Sequence, residues 1–379
     1  MSKLKLIKVF LIISCAIGMN FFSIGFVQAE ELRKLLEEAK DNNLQIMQAY
    51  HAWQSALKKV EVVGALDDPM VTYGYFGEEV QTRVGPQEQK FGIFQSLPFP
   101  GKRKVKKDIQ RSHAAMLEEQ YNEIILSVER RIREIYFDLF SMDQSIRIHE
   151  EEKALLEKLE DVAQRRYESN LAPQQVVIKI QVELSNLIKK IYLLKQQQRQ
   201  YVLRLNQLTN RPSGQDFNGP LDLPQATDLE PVDNLIEKSK VRRGSLRAAE
   251  QFLQQKRHEM TLAKKDYFPD FKIGAEYIDI KGGTTSAADD GQDAWMTTFS
   301  VNVPIWFGKL KHQLKEKEEA LIAAQLMKKN AESSLEQSIR DAYFQMNTYK
   351  NVIVLYETAL IPQAQQAFES SQSAFETGA

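Results

Sequence analysis

The sequence Ile-Arg-Glu-Ile-Tyr-Phe at residues 132–137 recurs as Ile-Arg-Asp-Ala-Tyr-Phe at residues 339–344, a separation of 207 positions (339 − 132). Pro69 likewise recurs as Pro269, 200 positions later (269 − 69). A repeat of this size indicates a duplicated structural unit. Each copy reads as a helix, two strands and a very long helix, so the repeat itself predicts the fold.

Four short segments, two in each copy, have the pattern of β-strands: residues 70–78, 89–97, 270–280 and 295–303. Each alternates apolar residues with small or polar ones, the signature of a strand whose two faces meet different surroundings. Each is close to the roughly 9–11 residues that a tilted strand needs to cross a bilayer. A soluble hairpin with one face on a core is the alternative. The polar links, residues 79–88 and 281–293, are predicted to be exposed loops.

The long helical pattern from Lys102 to about Tyr167 contains no proline or glycine. At 1.5 Å per residue such a helix measures about 100 Å. A turn at residues 170–173 follows, and the return helix carries apolar residues at alternating spacings of three and four from Val177 to Leu208. That heptad spacing predicts a left-handed coiled coil, which must project as a stalk or pack beside others.

Composition excludes several classes of function. The formal net charge is −1, from 50 basic and 51 acidic residues, which gives no attraction toward nucleic acid or an acidic substrate. No apolar run after residue 30 reaches the roughly 18 residues of a spanning helix. If the mature chain crosses a bilayer, the sequence therefore predicts a β-barrel.

Residues 1–29 are predicted to be a secretory signal peptide, from a basic start, an apolar stretch and a small-residue cleavage site. The alternatives are an uncleaved membrane anchor and lipidation at Cys15, the only cysteine. We divide the rest into a first repeat (residues 30–210), a Pro-rich linker (211–231) and a second repeat (232–379). The second repeat is predicted to be truncated, because the sequence lacks its final helix.

The segment Gln-Ser-Leu-Pro-Phe-Pro-Gly-Lys at residues 95–102, with the signal peptide and the tandem repeats, resembles the TolC-like outer-membrane efflux protein family. Residues 167–171 and 375–379 look like the family's stalk tips. The Pro-Phe-Pro-Gly-Lys turn looks most like the branch that serves heavy-metal cation efflux. The resemblance covers essentially the whole mature chain.

The resemblance implies an α+β membrane protein. Three protomers, each with four strands, would share one 12-stranded outer-membrane β-barrel that continues into a periplasmic α-helical coiled-coil tunnel. The implied location is the outer membrane of a Gram-negative bacterium, extending into the periplasm. The implied partners are a periplasmic adaptor protein, an inner-membrane pump and outer-membrane lipid, with no nucleic acid.

Two departures from the family pattern stand out. Asn170 occupies a tip position where the family usually has glycine, and asparagine tolerates the same left-handed backbone. The final hairpin helix is missing, so the gating residues would lie beyond Ala379. We expect either a truncated reading frame or a partial sequence.

Three groups of site residues follow. Strand positions predicted to face the lumen are Gly74, Ser96, Gly274, Glu276, Ser300 and Asn302. Barrel-to-tunnel turns are predicted at Pro98, Pro100, Gly101, Lys102, Pro304, Gly308 and Lys309. The predicted adaptor contacts are Asn170, Leu171, Ala172, Pro173 and Gly378.

No pattern indicates catalysis, a cofactor or a metal ligand set. The five histidines are scattered without a second ligand at metal-binding spacing. We therefore expect no enzyme but a passive exit duct for substrates delivered by an inner-membrane pump, in tripartite efflux or type I secretion. The alternatives are a periplasmic coiled-coil adaptor or structural protein, and a non-functional truncated remnant.

Overall fold

The computed structural model of the protein describes residues 31–217, 230–283 and 285–377. The predicted signal peptide with Cys15, most of the predicted linker, and the tip residues Gly378 and Ala379 lie outside these described residues.

The described elements follow one another in the order that the repeat predicts. They are α1 (residues 31–42), α2 (Leu44–Gly64), β1 (Met70–Thr82), β2 (Gly85–Leu97), α3 (Lys102–Glu168), α4 (Gln174–Thr209), α5 (Val232–Arg242), α6 (Gly244–Lys265), β3 (Asp270–Ile280), β4 (Ala294–Asn302), α7 (Phe307–Leu355), a π-helical segment (Tyr356–Leu360) and α8 (Ile361–Thr377). The order α1-α2-β1-β2-α3 thus recurs as α5-α6-β3-β4-α7.

The first helix of each copy is interrupted, whereas the sequence predicted a single helix before the two strands. Asn43 separates α1 from α2, because its side-chain oxygen accepts hydrogen bonds from the backbone N–H groups of Gln45 (2.9 Å) and Ile46 (3.1 Å). This is the bonding of a helix N-cap, which starts a new helix. The second copy breaks at the equivalent Arg243 (243 − 43 = 200).

The four strands form one antiparallel sheet in the order β1-β2-β3-β4. Met70 pairs with Phe94, Phe94 with Gly274, and Gly274 with Thr298. Within the described residues β1 and β4 are therefore edge strands, each with a row of unpaired backbone groups.

The link between β1 and β2 is shorter than predicted. The strands continue to Thr82 and from Gly85, which leaves a turn of two residues where an exposed loop over residues 79–88 was expected. Pro86 is buried, and its carbonyl accepts a hydrogen bond from the Lys281 N–H at 2.9 Å. The hairpin end is therefore packed against the β3–β4 link, which the alternation pattern of β1 alone did not indicate.

The long helices agree with their predicted bounds, since α3 spans 67 residues. A core joins α1, α2, α3 and α4 through Leu35, Ala39, Ile46, Val128, Ile132, Tyr136, Leu139 and Leu205. Ile132 and Tyr136 belong to the repeated hexapeptide, so two of its six residues are buried core residues in the first copy. The apolar positions of the α4 heptads are buried or half-buried, as a coiled coil requires.

The chain divides into two compact units, one within residues 1–51 and 121–228 and the other within residues 52–120 and 229–379. The tandem boundaries at residues 30–210, 211–231 and 232–379 stay a prediction. Among the helices described, none combines the length and the apolar character needed to cross a membrane.

Candidate functional site

One face of the sheet is apolar and exposed. Residues paired across neighbouring strands share a face, and the observed register places a set of large apolar side chains on the same one: Val71, Tyr73, Phe91, Ile93, Phe271, Ile273, Tyr277, Trp295, Phe299 and Val301. Tyr73, Phe299 and Trp295 are 61%, 65% and 78% exposed. A continuous apolar surface of this kind is typical of contact with lipid or with another protein. We call it the apolar face.

The opposite face, which we call the polar face, carries mainly small and polar side chains, together with Met70, Phe94, Ile278 and Met296. The register puts all six positions predicted to face a lumen on it, namely Gly74, Ser96, Gly274, Glu276, Ser300 and Asn302. The prediction missed Lys90, Phe94 and Lys272, which share this face. Lys90 and Phe94 each lie two positions from Gly92, and Lys272 lies two positions from Gly274. This spacing could have identified them, because side chains two positions apart along a strand share a face.

An ion pair joins two strands on the polar face. The Lys90 ammonium lies 2.6 Å from a carboxylate oxygen of Glu276, whose side chain is 8% exposed. The Thr298 hydroxyl lies 3.5 Å from the other carboxylate oxygen. Three strands thus share one charged network, so the buried carboxylate has partners on both sides.

An aromatic ring covers Gly274 on the polar face. A Cβ atom added at Gly274 would lie 2.2 Å from Cδ1 of Phe94, closer than real atoms approach. The Lys272 ammonium sits 4.5 Å from the centre of the same ring, a cation–π contact. Glycine at this position therefore makes room for the ring, as it does where an aromatic side chain crosses a strand.

The first predicted turn connects β2 to α3 and is fixed to the start of β3. The Lys102 ammonium lies 3.0 Å from a carboxylate oxygen of Asp270, which also accepts the Phe99 N–H at 2.7 Å. Phe99 stacks on Phe268 with ring centres 4.6 Å apart. Gly101 adopts a φ of 90°, a backbone angle that favours glycine. The predicted turn residues Pro98 and Pro100 lie in the same connection.

The second predicted turn, between β4 and α7, has no such cover within the described residues. Pro304 precedes α7, and the predicted Gly308 and Lys309 lie in its first turn. Three neighbouring side chains, Ile305, Trp306 and Phe307, are 60%, 73% and 66% exposed. The two copies of the turn therefore differ in their surroundings.

The described stalk tip lies between α3 and α4 and contains the predicted residues Asn170, Leu171, Ala172 and Pro173. Asn170 has a φ of 59°, the left-handed conformation expected for it. The Leu171 N–H donates to the Arg166 carbonyl at 2.8 Å, and the Leu171 side chain is 76% exposed. Gly378, the remaining predicted contact, lies outside the described residues.

The hairpin ends carry a charged contact. Arg83 donates two hydrogen bonds to the carboxylate of Asp289, and this bonding lowers the pKa of that carboxyl. Both residues are solvated, so the contact is a surface ion pair. No group of three or more potential metal ligands occurs among the residues that the structure describes.

The sequence matches the outer membrane efflux protein family over residues 35–211 and 235–379. No curated protein matches the sequence.

Several solved structures have a similar fold. The outer-membrane channel OprN has a TM-score of 0.76 at 16% identity, covering 92% of this chain and 80% of that chain. VceC from Vibrio cholerae has a TM-score of 0.73 at 17% identity, covering 92% and 87%. CusC has a TM-score of 0.69 at 14% identity, covering 92% and 83%. At these identities the similarity concerns the fold alone.

The chain belongs to the outer membrane efflux protein family, because the matched residues make up most of it. The resemblance to TolC-like proteins is confirmed, and so is the protomer fold of long helices with a four-stranded antiparallel sheet. The protein is an efflux channel component of the Gram-negative outer membrane, and its family is one of transport ducts. A periplasmic adaptor is not favoured.

Proposed function

We propose that the protein forms a passive exit duct in which three copies close their sheets into one barrel of 12 strands (3 × 4). The observation that carries this proposal is a sheet with an exposed apolar face, a polar opposite face and two open edges. Backbone groups at an open edge have no water to bond in a bilayer, so a spanning sheet must close on itself. Closure by identical copies satisfies that requirement.

In this duct the apolar face contacts lipid and the polar face lines the lumen. Gly74, Ser96, Gly274, Glu276, Ser300 and Asn302 are the proposed lining positions. Alternation of lipid-facing and lumen-facing side chains is the general pattern of outer-membrane barrels. The turns at Pro98–Lys102 and Pro304–Lys309 then lead from the barrel into the helices, since proline cannot continue a strand ladder.

We propose the tip at residues 170–173, with Gly378, as the contact for a periplasmic adaptor protein, which would connect the duct to an inner-membrane pump. The exposed Leu171 supports this assignment, because an apolar side chain on a solvated turn suits a protein contact. Leu171→Asp should abolish adaptor capture in pull-down while leaving the oligomer intact. Glu168→Gln, one turn earlier and also exposed, is the matched control.

Heavy-metal cations are the proposed cargo class, on the resemblance of the Pro98–Lys102 turn. Selectivity would reside in the pump, because a duct wall need not bind what passes through it. Deletion of the gene should raise sensitivity to metal salts more than sensitivity to antibiotics. The reverse pattern would assign drug efflux, and loss of a secreted protein would assign type I secretion.

The face assignment is tested by single cysteines and a membrane-impermeant thiol reagent. Ser300→Cys and Asn302→Cys should react from the aqueous side, whereas Phe299→Cys and Val301→Cys on the same strand should stay protected in the bilayer. A heat-modifiable trimer in the outer-membrane fraction is the expected state of the unlabelled protein. A freely soluble monomer, or equal labelling of all four cysteines, would refute the duct.

A further inference from the structure

The pairing of β2 with β3 inside the chain indicates how the two edge strands would pair with those of another copy. Because β1–β2 and β3–β4 are copies, the contact of β2 with β3 joins the end of one copy to the start of the next. The equivalent contact for β4 is β1 of a second copy of this chain. The internal pairing can therefore be carried over to the contact between subunits.

In the ring proposed above β4 meets β1 of a neighbouring copy, and we propose the register of that antiparallel pairing: Ser300 lies opposite Gly74 of the partner subunit. Within the chain Phe94 pairs with Gly274. Pro98 corresponds to Pro304, a shift of 206 (304 − 98), which carries position 94 to position 300. The shift of 200 between the first strands carries position 274 to position 74. The proposal names the interface of the ring proposed above and rests on it.

The contact between β4 of one copy and β1 of the next is called the seam. In the proposed register the polar face and the apolar face each continue across this seam. Ser300 and Gly74 of the partner subunit belong to the polar face, and so do Asn302 and Thr72 of the partner subunit, the next pair of this kind. Val301 meets Tyr73 of the partner subunit on the apolar face. A slip of one residue would bring apolar side chains into the lumen, so only slips of two residues compete.

Such slips must be considered because the two hairpins are not identical. Met70 pairs with Phe94, whereas Asp270 pairs with Asn302, which corresponds to Ser96 by the shift of 206 (302 − 96). The hairpins thus differ by two residues in register. The competing seams pair Asn302 with Gly74 of the partner subunit, or Ser300 with Thr72 of the partner subunit.

The strand tilt restricts the choice. Met70 is paired with Phe94, Phe94 with Gly274, and Gly274 with Thr298, so these residues form one row across the sheet. In the proposed register the next residue of this row is Phe76 of the partner subunit. Going once across a protomer therefore shifts the paired position by six residues along β1 (76 − 70). Going around all three protomers shifts it by 18 residues, which is the shear of the ring. With 3.3 Å per residue and 4.8 Å between strands, a 12-stranded ring then tilts its strands by about 46°.

The two competing seams give tilts of about 54° and about 35° by the same geometry. The value of about 54° lies well outside the usual range of roughly 35–45°, whereas about 46° and about 35° lie at its two ends. With a tilt of about 35°, the turn after β4 would be shifted by two residues against β1 of the partner subunit, compared with the position of the turn after β2 against β3. The alignment of Pro98 with Pro304 therefore decides for the proposed register.

The surroundings of the second turn supply an independent reason for a partner there. In the first copy Lys102 is buried against Asp266 and Asp270 of the second copy. The equivalent Lys309 is exposed and has no ion pair among the described residues. By the shift of 200, Asp266 and Asp270 correspond to Leu66 and Met70, so the acidic residues available to Lys309 are Asp67 and Asp68, which are exposed in the same stretch before β1. In the proposed interface Lys309 lies beside Asp67 and Asp68 of the partner subunit.

Cysteine pairs test the register directly in full-length trimer purified from the outer membrane. The in-register variants are Thr72→Cys with Asn302→Cys and Gly74→Cys with Ser300→Cys. The crossed variants combine the same positions as Gly74→Cys with Asn302→Cys and Thr72→Cys with Ser300→Cys. Opposite residues lie about 4.5–5.5 Å apart between Cα atoms, within disulfide range, whereas crossed ones are about 7–8 Å apart.

Within one chain β1 and β4 are three strand spacings apart, about 14 Å, so no disulfide can form inside a protomer. Cys15, the only native cysteine, is common to all four variants. We expect the in-register pairs to give covalent dimers and trimers under oxidation, and the crossed pairs to give at least tenfold less. The proposed register is tested by two pairs and each competing register by one, so a misfolded variant of one in-register pair leaves the other to decide.

Cross-linking of the crossed pairs, or of no pair in a protein that is trimeric by native mass, would overturn the register and leave the duct intact. A monomer by native mass in the unmodified protein would refute the duct as well. Lys309→Glu should lower the temperature at which the trimer dissociates, and adding Asp67→Lys and Asp68→Lys should restore it. Failure of that restoration would remove the ionic contact from the proposal.

Discussion

Lys102 and Asp270 join the two copies of the repeat within one chain. The Lys102 ammonium contacts both carboxylate oxygens of Asp270, at 3.0 and 3.2 Å, and also the Phe268 carbonyl at 3.2 Å. The lysine side chain is 7% exposed and that of Asp270 is 39% exposed. The contact ties the end of β2 to the beginning of β3, so the turn that ends one strand is positioned by the next copy.

Lys102→Met is expected to destabilise the protein by about 1–2 kcal/mol, because it removes three charge-assisted bonds while one carboxylate stays partly hydrated. Denaturant unfolding in detergent measures the change. Lys104→Met, an exposed lysine two residues later, is the matched control and should have little effect. Equal losses in the two variants would show that the ion pair does not stabilise the turn.

Gly274→Ala should destabilise the sheet by about 1–3 kcal/mol, since the added methyl would overlap the Phe94 ring. The equivalent position of the first copy is the control. A Cβ at Gly74 would meet nothing closer than the Lys90 Cβ at 3.9 Å, so Gly74→Ala should be tolerated. Phe94→Ala should relieve the Gly274→Ala variant in a double-mutant cycle. Additive losses in that cycle would contradict the proposed overlap.

Asn43→Ala should cost about 1–2 kcal/mol, because Asn43 is 3% exposed and caps α2. The side-chain N–H of Asn43 also donates to the Leu208 carbonyl at 2.7 Å. Asn43→Ser keeps a cap oxygen but loses the amide donor, so its loss should be intermediate. Urea unfolding of the three proteins checks the order. If Asn43→Ala were as stable as the native chain, the interruption between α1 and α2 would be due to packing and not to the cap.

Glu250 and Lys328 make stability depend on pH. The Lys328 ammonium lies 2.8 Å from the Glu250 carboxylate, and this hydrogen bond, supported by Gln254, lowers the pKa of that carboxyl. A lowered folded pKa gives a stabilisation that is present above the ordinary carboxyl pKa and is lost as the pH falls through the folded value.

The native chain should therefore exceed Glu250→Gln in stability by about 0.5 kcal/mol at neutral pH, a value typical of a partly exposed pair. The difference should shrink between about pH 5 and pH 3. Unfolding midpoints across that range measure it. Glu318→Gln, at an exposed position of α7 with no ion pair among the described residues, should show no such trend. A difference that persists at low pH would assign the effect to packing.

How much of this could be predicted from sequence depends on how local the cause is. The strand faces were predictable, because alternation at Phe271, Ile273 and Ala275 is written in neighbouring residues. The α3 bounds were predictable for the same reason. The break at Asn43 was missed although its side chain is a good N-cap, since the apolar stripe continues on both sides.

The contacts between copies were not predictable from local pattern. Lys102 was identified as a turn residue, but its partner Asp270 lies 168 positions away (270 − 102) and is fixed only by strand register. Likewise, Lys90 and Phe94 were not predicted for the polar face, because a lysine or an aromatic ring there is paired or covered across strands. Register is a tertiary property, so the sequence of one strand does not contain it.

Pro362 accounts for the π-helical segment between α7 and α8. Proline has no N–H, so the Thr358 carbonyl loses its usual donor four residues on, and the irregular turn Tyr356–Leu360 lies directly before it. The equivalent position in the first copy is Leu155 (362 − 207), inside the uninterrupted α3. The sequence therefore did contain the signal for this difference between the two long helices.

Pro362→Ala should restore the missing hydrogen bond and extend regular α-helix through residues 356–362. We expect slower amide hydrogen exchange across that segment, equivalent to a local stabilisation of about 1–3 kcal/mol, because proline is that much poorer than alanine inside a helix. Gln363→Ala changes the neighbouring residue without adding a donor and is the matched control. Unchanged exchange in Pro362→Ala, or an equal slowing in both variants, would mean that the segment is held irregular by something other than the proline.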